Sequence, residues 1–200
     1  MSPAFFVGLV ALIVLLLSSA CTNVQPAISI DNPRWAAHHS TINELEKWQF
    51  SGRFSAKTDI ENWTGSIQWQ QKAQQFKINL SGPLNSGSAL LQGNDDLTEL
   101  RTSDSTSFFD SDPQFLLQQH TGMILPVNNL RYWIVGMPAP EAKIDAIKIS
   151  QNGQIDTLSQ NNWEIRFKRY TDTPRAALPN KIFLNNDEVS VRLIIQEWQI

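Results

Sequence analysis

Side-chain character alternates with a period of two along much of this chain, and that alternation restricts the fold more than any other feature. Trp48, Phe50, Gly52, Phe54 and Ala56 share one face of an extended segment, with Gln49, Ser51, Arg53 and Ser55 on the other. Trp63, Gly65, Ile67 and Trp69 repeat the pattern against Thr64, Ser66, Gln68 and Gln70, and Phe76, Ile78 and Leu80 repeat it again. Trp163, Ile165 and Phe167 alternate later in the chain, as do Val189, Val191, Leu193 and Ile195. Successive Cβ atoms of a strand point to opposite sides, so these segments read as antiparallel strands with one wet face and one covered face. Shorter strands are expected near 87–93, 96–102, 105–109, 144–150 and 154–160. Gln151-Asn152-Gly153 supplies the hairpin signal between the last two. The count comes to about eleven strands. A long antiparallel sheet twists and curls towards a barrel. Its concave face would carry the Trp and Phe residues, and helices would have to cover them.

Three helical segments are available for that cover. Asn32 is a suitable cap and Pro33 a suitable first residue for a helix from Pro33 to Lys47, with Trp35, His38, Ile42 and Leu45 as its apolar stripe. Asp112-Pro113 opens a second, carrying Phe115, Leu116 and Leu117 and closed by Gly122. A third runs from Asn128 through Val135 and is stopped by Gly136 and Pro138. Leu130 and Trp133, three residues apart, fall on one face of it. That face is expected to lie on the sheet.

Reactive chemistry is scarce. His38 and His39 are adjacent and point in different directions on a helix, which makes them poor joint metal ligands. No G-x-S-x-G elbow and no glycine-rich phosphate loop is present. Asp95-Asp96 reads as part of a turn, and Asp110 and Asp112 as residues at a helix start. Neither an enzyme nor a cofactor or metal site is expected. The formal net charge is -3 with no basic run, so nucleic acid is not an expected partner. What remains is apolar: aromatics make up 10% of the chain and seven are tryptophans. They either fill a core or line a cavity in the curved sheet. The candidate cavity or lid residues are Phe50, Phe54, Ile67, Trp69, Phe76, Ile78, Leu116, Leu130, Trp133 and Ile134.

The amino-terminal end has a separate logic. The first twenty residues carry no charged side chain, Phe5 to Leu17 are nearly all apolar, and Leu17-Ser18-Ser19-Ala20 leads into the one cysteine, Cys21. A short apolar core followed by small residues is the pattern of an export signal, and it is shorter than the about 20 apolar residues a membrane span needs. A single cysteine excludes an internal disulfide framework. The residues alone also fit an ordinary signal peptide cut elsewhere, or an uncleaved anchor. The small-small-Cys junction resembles the bacterial lipobox, although Ser18 stands where that pattern carries leucine. This resemblance implies that residues 1–20 are removed and that Cys21 is acylated. Residues 21–33 would then be a lipidated end and flexible tether, and residues 34–200 a single domain.

Thr121-Gly122-Met123-Ile124-Leu125-Pro126-Val127-Asn128-Asn129-Leu130-Arg131-Tyr132-Trp133-Ile134-Val135-Gly136-Met137-Pro138 resembles the LolB family in the spacing of Gly122, Pro126, Leu130, Trp133, Gly136 and Pro138. Pro33-Arg34-Trp35, Gly52-Arg53-Phe54 and Trp69-Gln70-Gln71 resemble the family's opening. Asn162-Trp163, Tyr170 and Leu178-Pro179-Asn180 resemble its end. The resemblance implies a mainly β fold: an incomplete antiparallel barrel with short helices over its hydrophobic mouth. It implies a monomeric receptor, lipid-anchored on the periplasmic side of the outer membrane. Such a receptor accepts acylated lipoproteins from a LolA-like periplasmic carrier and inserts them into the inner leaflet without nucleotide hydrolysis. Thr22 is compatible with outer-membrane sorting. Leu84, in the turn-rich run Ser81-Gly82-Pro83-Leu84-Asn85-Ser86-Gly87-Ser88, matches the family's protruding leucine, which implies contact with the membrane. The residues by themselves also read as a loop leucine folded onto the core. Two other functions share these features: an anchored carrier of free lipid or glycolipid, and a structural lipoprotein that transports nothing.

Overall fold

The computed structural model describes residues 32–83 and 87–200. Cys21, the signal, the tether up to residue 31, and Leu84 lie outside the described residues. The alternating segments form β1 (Lys47–Lys57), β2 (Asn62–Lys72), β3 (Gln75–Ser81), β4 (Ser88–Gly93), β5 (Thr98–Thr102) and β6 (Ser107–Asp110). After the helices come β7 (Ile144–Ile149), β8 (Ile155–Gln160), β9 (Trp163–Asp172), β10 (Ala177–Asn185) and β11 (Ser190–Gln199). They make one 11-stranded antiparallel sheet in the order β6-β5-β4-β3-β2-β1-β11-β10-β9-β8-β7. The first and last strands pair in the middle, and the free edges, β6 and β7, come from the middle of the chain. The sheet is open, as the edges do not pair with each other.

Register turns the sequence alternation into an inner and an outer face. Phe50 pairs with Trp69, Trp69 with Ile78, Ile78 with Leu91, and Leu91 with Leu100. On the other half, Val191 pairs with Leu184, Leu184 with Ile165, and Ile165 with Leu158. All of these are buried. Each such side chain contributes about 1.5–3 kcal/mol when removed from water, so the row resists any one-residue slip of a strand. The outer face carries Gln49, Arg53, Gln68, Lys77, Arg166 and Arg192, which are exposed or half-exposed.

The helices are α1 (Pro33–Asn43), α2 (Pro113–Thr121) and α3 (Val127–Trp133). The Asn32 side chain caps α1 by accepting from the Arg34 and Trp35 N–H groups at 2.9 and 3.4 Å. This helix stops four residues short of the expected Lys47, because Lys47 already belongs to a strand held between β2 and β11. It lies against the β7–β8 turn, where Asn32 Nδ2 donates to the Ser150 carbonyl (3.3 Å) and an Arg34 guanidinium N–H to that of Gln151 (2.9 Å). Gly153 has φ +80°, and a Cβ there would come within 2.5 Å of the Arg34 backbone. Asp112 caps α2 through the Gln114 N–H, and Gly122 ends it in the left-handed region. The second helix packs on β5 and β6 and touches α3. Leu116 and Leu117 are buried beneath it, whereas Phe115 faces out.

Candidate functional site

The inner face is filled differently at the two ends of the sheet. At the end where β1 starts and β11 finishes, Trp48, Phe50, Trp69 and Trp198 pack ring to ring with centroids 5.3 to 6.3 Å apart. The Trp198 indole N–H donates to the Pro179 carbonyl (3.0 Å) and the Trp69 N–H to Gln71 (2.9 Å). That end is sealed. Towards the other end the inner face offers Gly65, Ala89 and Gly87 among larger groups, and a cleft of about 720 Å³ opens there. Its volume falls within the roughly 300–1,000 Å³ of small-ligand sites.

Three turns and a helix end frame this cleft. The start of β2, just after the β1–β2 turn, contributes Asn62 and Trp63, the β3–β4 connection Gly82, Pro83 and Gly87, and the end of β5 with the β5–β6 turn Thr102, Ser103 and Asp104. His120, Thr121 and Met123 come from the end of α2. Phe54, Leu80, Ala89 and Phe108 form the apolar lining. The His120 imidazole lies flat on the Phe108 ring, centroids 3.5 Å apart and planes 16° apart, so α2 meets edge strand β6 through stacked rings. Gly122 sits beside Glu61 and Trp63, its would-be Cβ 3.2 Å from the Glu61 carboxylate and 3.5 Å from the indole. Hydrogen bonds from Thr102 and Thr106 hold the Asp104 carboxyl below its ordinary value, so the rim stays negative. The Gly82 N–H donates to the Gly87 carbonyl at 3.0 Å, closing the base of the connection that carries Leu84.

The third helix is fastened from both sides. Arg131 reaches Asp95 in the β4–β5 turn at 2.6 Å. The Trp133 indole N–H donates to Gln160 Oε1 at the end of β8 (2.8 Å). That amide oxygen also accepts the Ala139 N–H, and its Nε2 donates to the Ala139 and Ala142 carbonyls at 2.8 and 2.7 Å. All four bonds of a fully buried amide are thereby made, and α3 braces the two halves of the sheet across the inner face.

The expected cavity residues thus occupy two settings. Phe54 lines the cleft. Phe50, Ile67, Trp69, Ile78, Leu116, Leu130, Trp133 and Ile134 sit in the packed core. Phe76 is also buried but borders a second hollow of about 700 Å³ at the end where β1 starts, with Lys47, Lys77, Leu97 and Phe109. Trp63, Phe108, Met123 and His120 were not singled out for the site by sequence. Alternation puts Trp63 on the covered face but does not tell cleft from core, while Phe108 lies on an edge strand and Met123 follows a helix stop, where alternation gives little sign. Among the described residues no group of three His, Cys, Asp or Glu side chains could hold a metal ion.

The sequence model of the family described as "Outer membrane lipoprotein LolB" matches residues 46–198, which take in β1 to β10 whole and all of β11 but its last residue. The chain belongs to the LolB family. It is 35% identical over 193 residues to the outer-membrane lipoprotein LolB of Nitrosococcus oceani, covering 96% of each chain. It is 30% identical over 188 residues to that of Stutzerimonas stutzeri, covering 92% of this chain and 91% of the relative. Two solved structures share the fold. A LolA superfamily protein from Nitrosomonas europaea superposes with a TM-score of 0.57 at 8% identity, covering 82% of this chain and 93% of that one. An outer-membrane lipoprotein-sorting protein domain from Vibrio parahaemolyticus does so with 0.54 at 7% identity, covering 83% and 90%. LolB membership places the chain among the non-enzymatic lipoproteins of the outer membrane.

Proposed function

We propose that the protein is a receptor that takes lipoproteins from a LolA-like periplasmic carrier, shelters their acyl chains, and inserts them into the inner leaflet of the outer membrane without nucleotide hydrolysis. The observation that carries this reading is the cleft, open at one end of an apolar inner face in a LolB-family chain. In the same reading Cys21 bears the lipid anchor, residues 21–33 are the tether, and Leu84 meets the membrane from the loop at the cleft's rim.

Differential binding supplies the direction of transfer. Each buried methylene gains about 0.8 kcal/mol, so one long acyl chain leaves water with a gain on the order of 10 kcal/mol. A chain therefore needs continuous cover, yet the cover must hold it less well than the bilayer does. The resting cleft is sized for one small apolar ligand, and several chains require it to grow. The helix free to yield is α2, held at its end by the stacked Phe108–His120 pair, whereas α3 is fixed by Gln160 and Asp95. Displacing α2 would join the cleft to the core beneath Leu116 and Leu117.

The test is transfer of a labelled lipoprotein from its carrier to liposomes, with and without this protein. Acceleration by the protein supports the receptor, and no acceleration rejects it. The cleft's small resting volume favours, as a second reading, an anchored carrier of free lipid. Cargo that co-purifies separates the two: acylated protein supports the receptor, phospholipid alone the lipid carrier.

A further inference from the structure

We propose that the β1–β2 turn is a second membrane-contacting element, in which Ile60 enters the surface of a zwitterionic phospholipid bilayer. The proposal rests on the reading that the cleft end of the sheet delivers cargo.

Ile60 is 90% exposed, more than any other large apolar side chain among the described residues. The turn does not need it. The Thr58 N–H donates to the Glu61 carbonyl (2.9 Å), and Thr58 Oγ1 accepts from the Glu61 and Ile60 N–H groups at 3.0 and 3.4 Å. Any residue but proline at position 60 could keep these backbone bonds, and turns of this kind ordinarily carry Gly, Asn, Asp or Ser. A β-branched apolar side chain there is displayed to solvent with no folding benefit.

Its place in the fold gives the display a direction. Two residues on, Asn62 and Trp63 border the cleft, and the adjoining Glu61 lies against Gly122 at the end of α2. Ile60 therefore stands on the rim through which a ligand of the cleft enters. The β5–β6 turn on the same cleft, Ser103-Asp104-Ser105-Thr106, is wholly polar, and the exposed Leu97 lies in the β4–β5 turn at the opposite end of the strands. Asp59 and Glu61 flank Ile60 in the chain, and Asp104 adds a further negative charge to the lining of the same cleft. Carboxylates are costly to bury and are repelled by an anionic surface, so contact is shallow and the headgroups are zwitterionic.

The experiment uses the full-length lipoprotein in vesicles of phosphatidylethanolamine and phosphatidylcholine with brominated acyl chains. Bimane is attached at Ile60→Cys and, as comparator, at Ser55→Cys on the outer face of β1; Cys21 is common to both proteins. Bimane at position 60 is expected to be quenched several-fold more than at 55. Equal quenching overturns the proposal, and stronger quenching on phosphatidylglycerol vesicles overturns the zwitterionic assignment. Ile60→Glu is expected to slow release of cargo to vesicles by about tenfold, the fold-change for losing burial of one aliphatic side chain. Its Tm and its loading from the carrier should be unchanged, and Ile60→Leu should release normally. Normal release by Ile60→Glu also overturns the proposal. Because the quenching measurement needs no cargo, it decides the role of Ile60 even where the receptor function itself fails its transfer assay.

Discussion

A buried amide costs stability unless all its polar atoms find partners, and Gln160 finds four in Trp133, Ala139 and Ala142. Gln160→Leu would orphan the indole N–H, one backbone N–H and two carbonyls. Each buried orphan costs about 1–3 kcal/mol, and partial access of water to the loop lowers the sum. The expected loss is about 3 kcal/mol in urea unfolding, with altered Trp133 fluorescence. Gly65 is the opposite case, a residue that matters for what it lacks. A Cβ there would lie 2.1 Å from the Ser81 carbonyl oxygen and 3.2 Å from the Phe54 ring. Gly65→Ala is expected to cost about 1–3 kcal/mol through overpacking and to narrow the cleft, read as weaker binding of an apolar dye. In sequence, Gly65 falls on the covered face by its period, and Phe54 likewise. Gln160 has no such mark, since a strand-terminal glutamine becomes a latch only when α3 is brought to it from elsewhere in the chain.

Helix starts were legible because a cap is a local event: Asn32-Pro33 and Asp112-Pro113 both begin helices where the side chains predict. Helix ends were less so. The spacing of its neighbours extends the helix to Lys47, but pairing with Lys72 of β2 claims that residue. The first helix also carries a pH-sensitive contact. His38 is half-buried, its Nε2 finds no hydrogen-bond partner among the described residues, and its ring centroid is 6.5 Å from that of Tyr170. Burial, and then the charge of His39, hold its pKa below the ordinary value; burial lowers His39 as well. The unfolded chain therefore binds protons that the folded one does not. Stability is full above the unfolded value of about 6.5 and declines as pH falls through it towards the lowered folded value. His38→Leu is expected to reduce the slope of Tm against pH between about 7 and 5, with His39 retaining part of it. Faster amide exchange in α1 at the acid end would place the loss in that helix.

Strand number, direction and covered face could be read from alternation alone, because each is a property of a few consecutive residues. Strand order and the size of the cleft could not, since they depend on which distant segments meet. The membrane-facing reading of the cleft end leads to one more measurement. Leu84→Glu is expected to leave folding and loading from the carrier intact while slowing release into liposomes by about tenfold or more, as charge desolvation opposes insertion. A two-step assay with the same labelled cargo checks this, and failure at loading would assign the loop to carrier docking instead. The pairing of β1 with β11 has a consequence of another kind, for biogenesis. The sheet's central seam joins the first strand to the last, so a growing chain can build only two separate half-sheets until Ser190–Gln199 has been made. Closure over so long a separation is slow. A polypeptide laid out in this way cannot complete its sheet before its last strand is made, which leaves time for a chain bound for the outer membrane to be moved before it is fully folded.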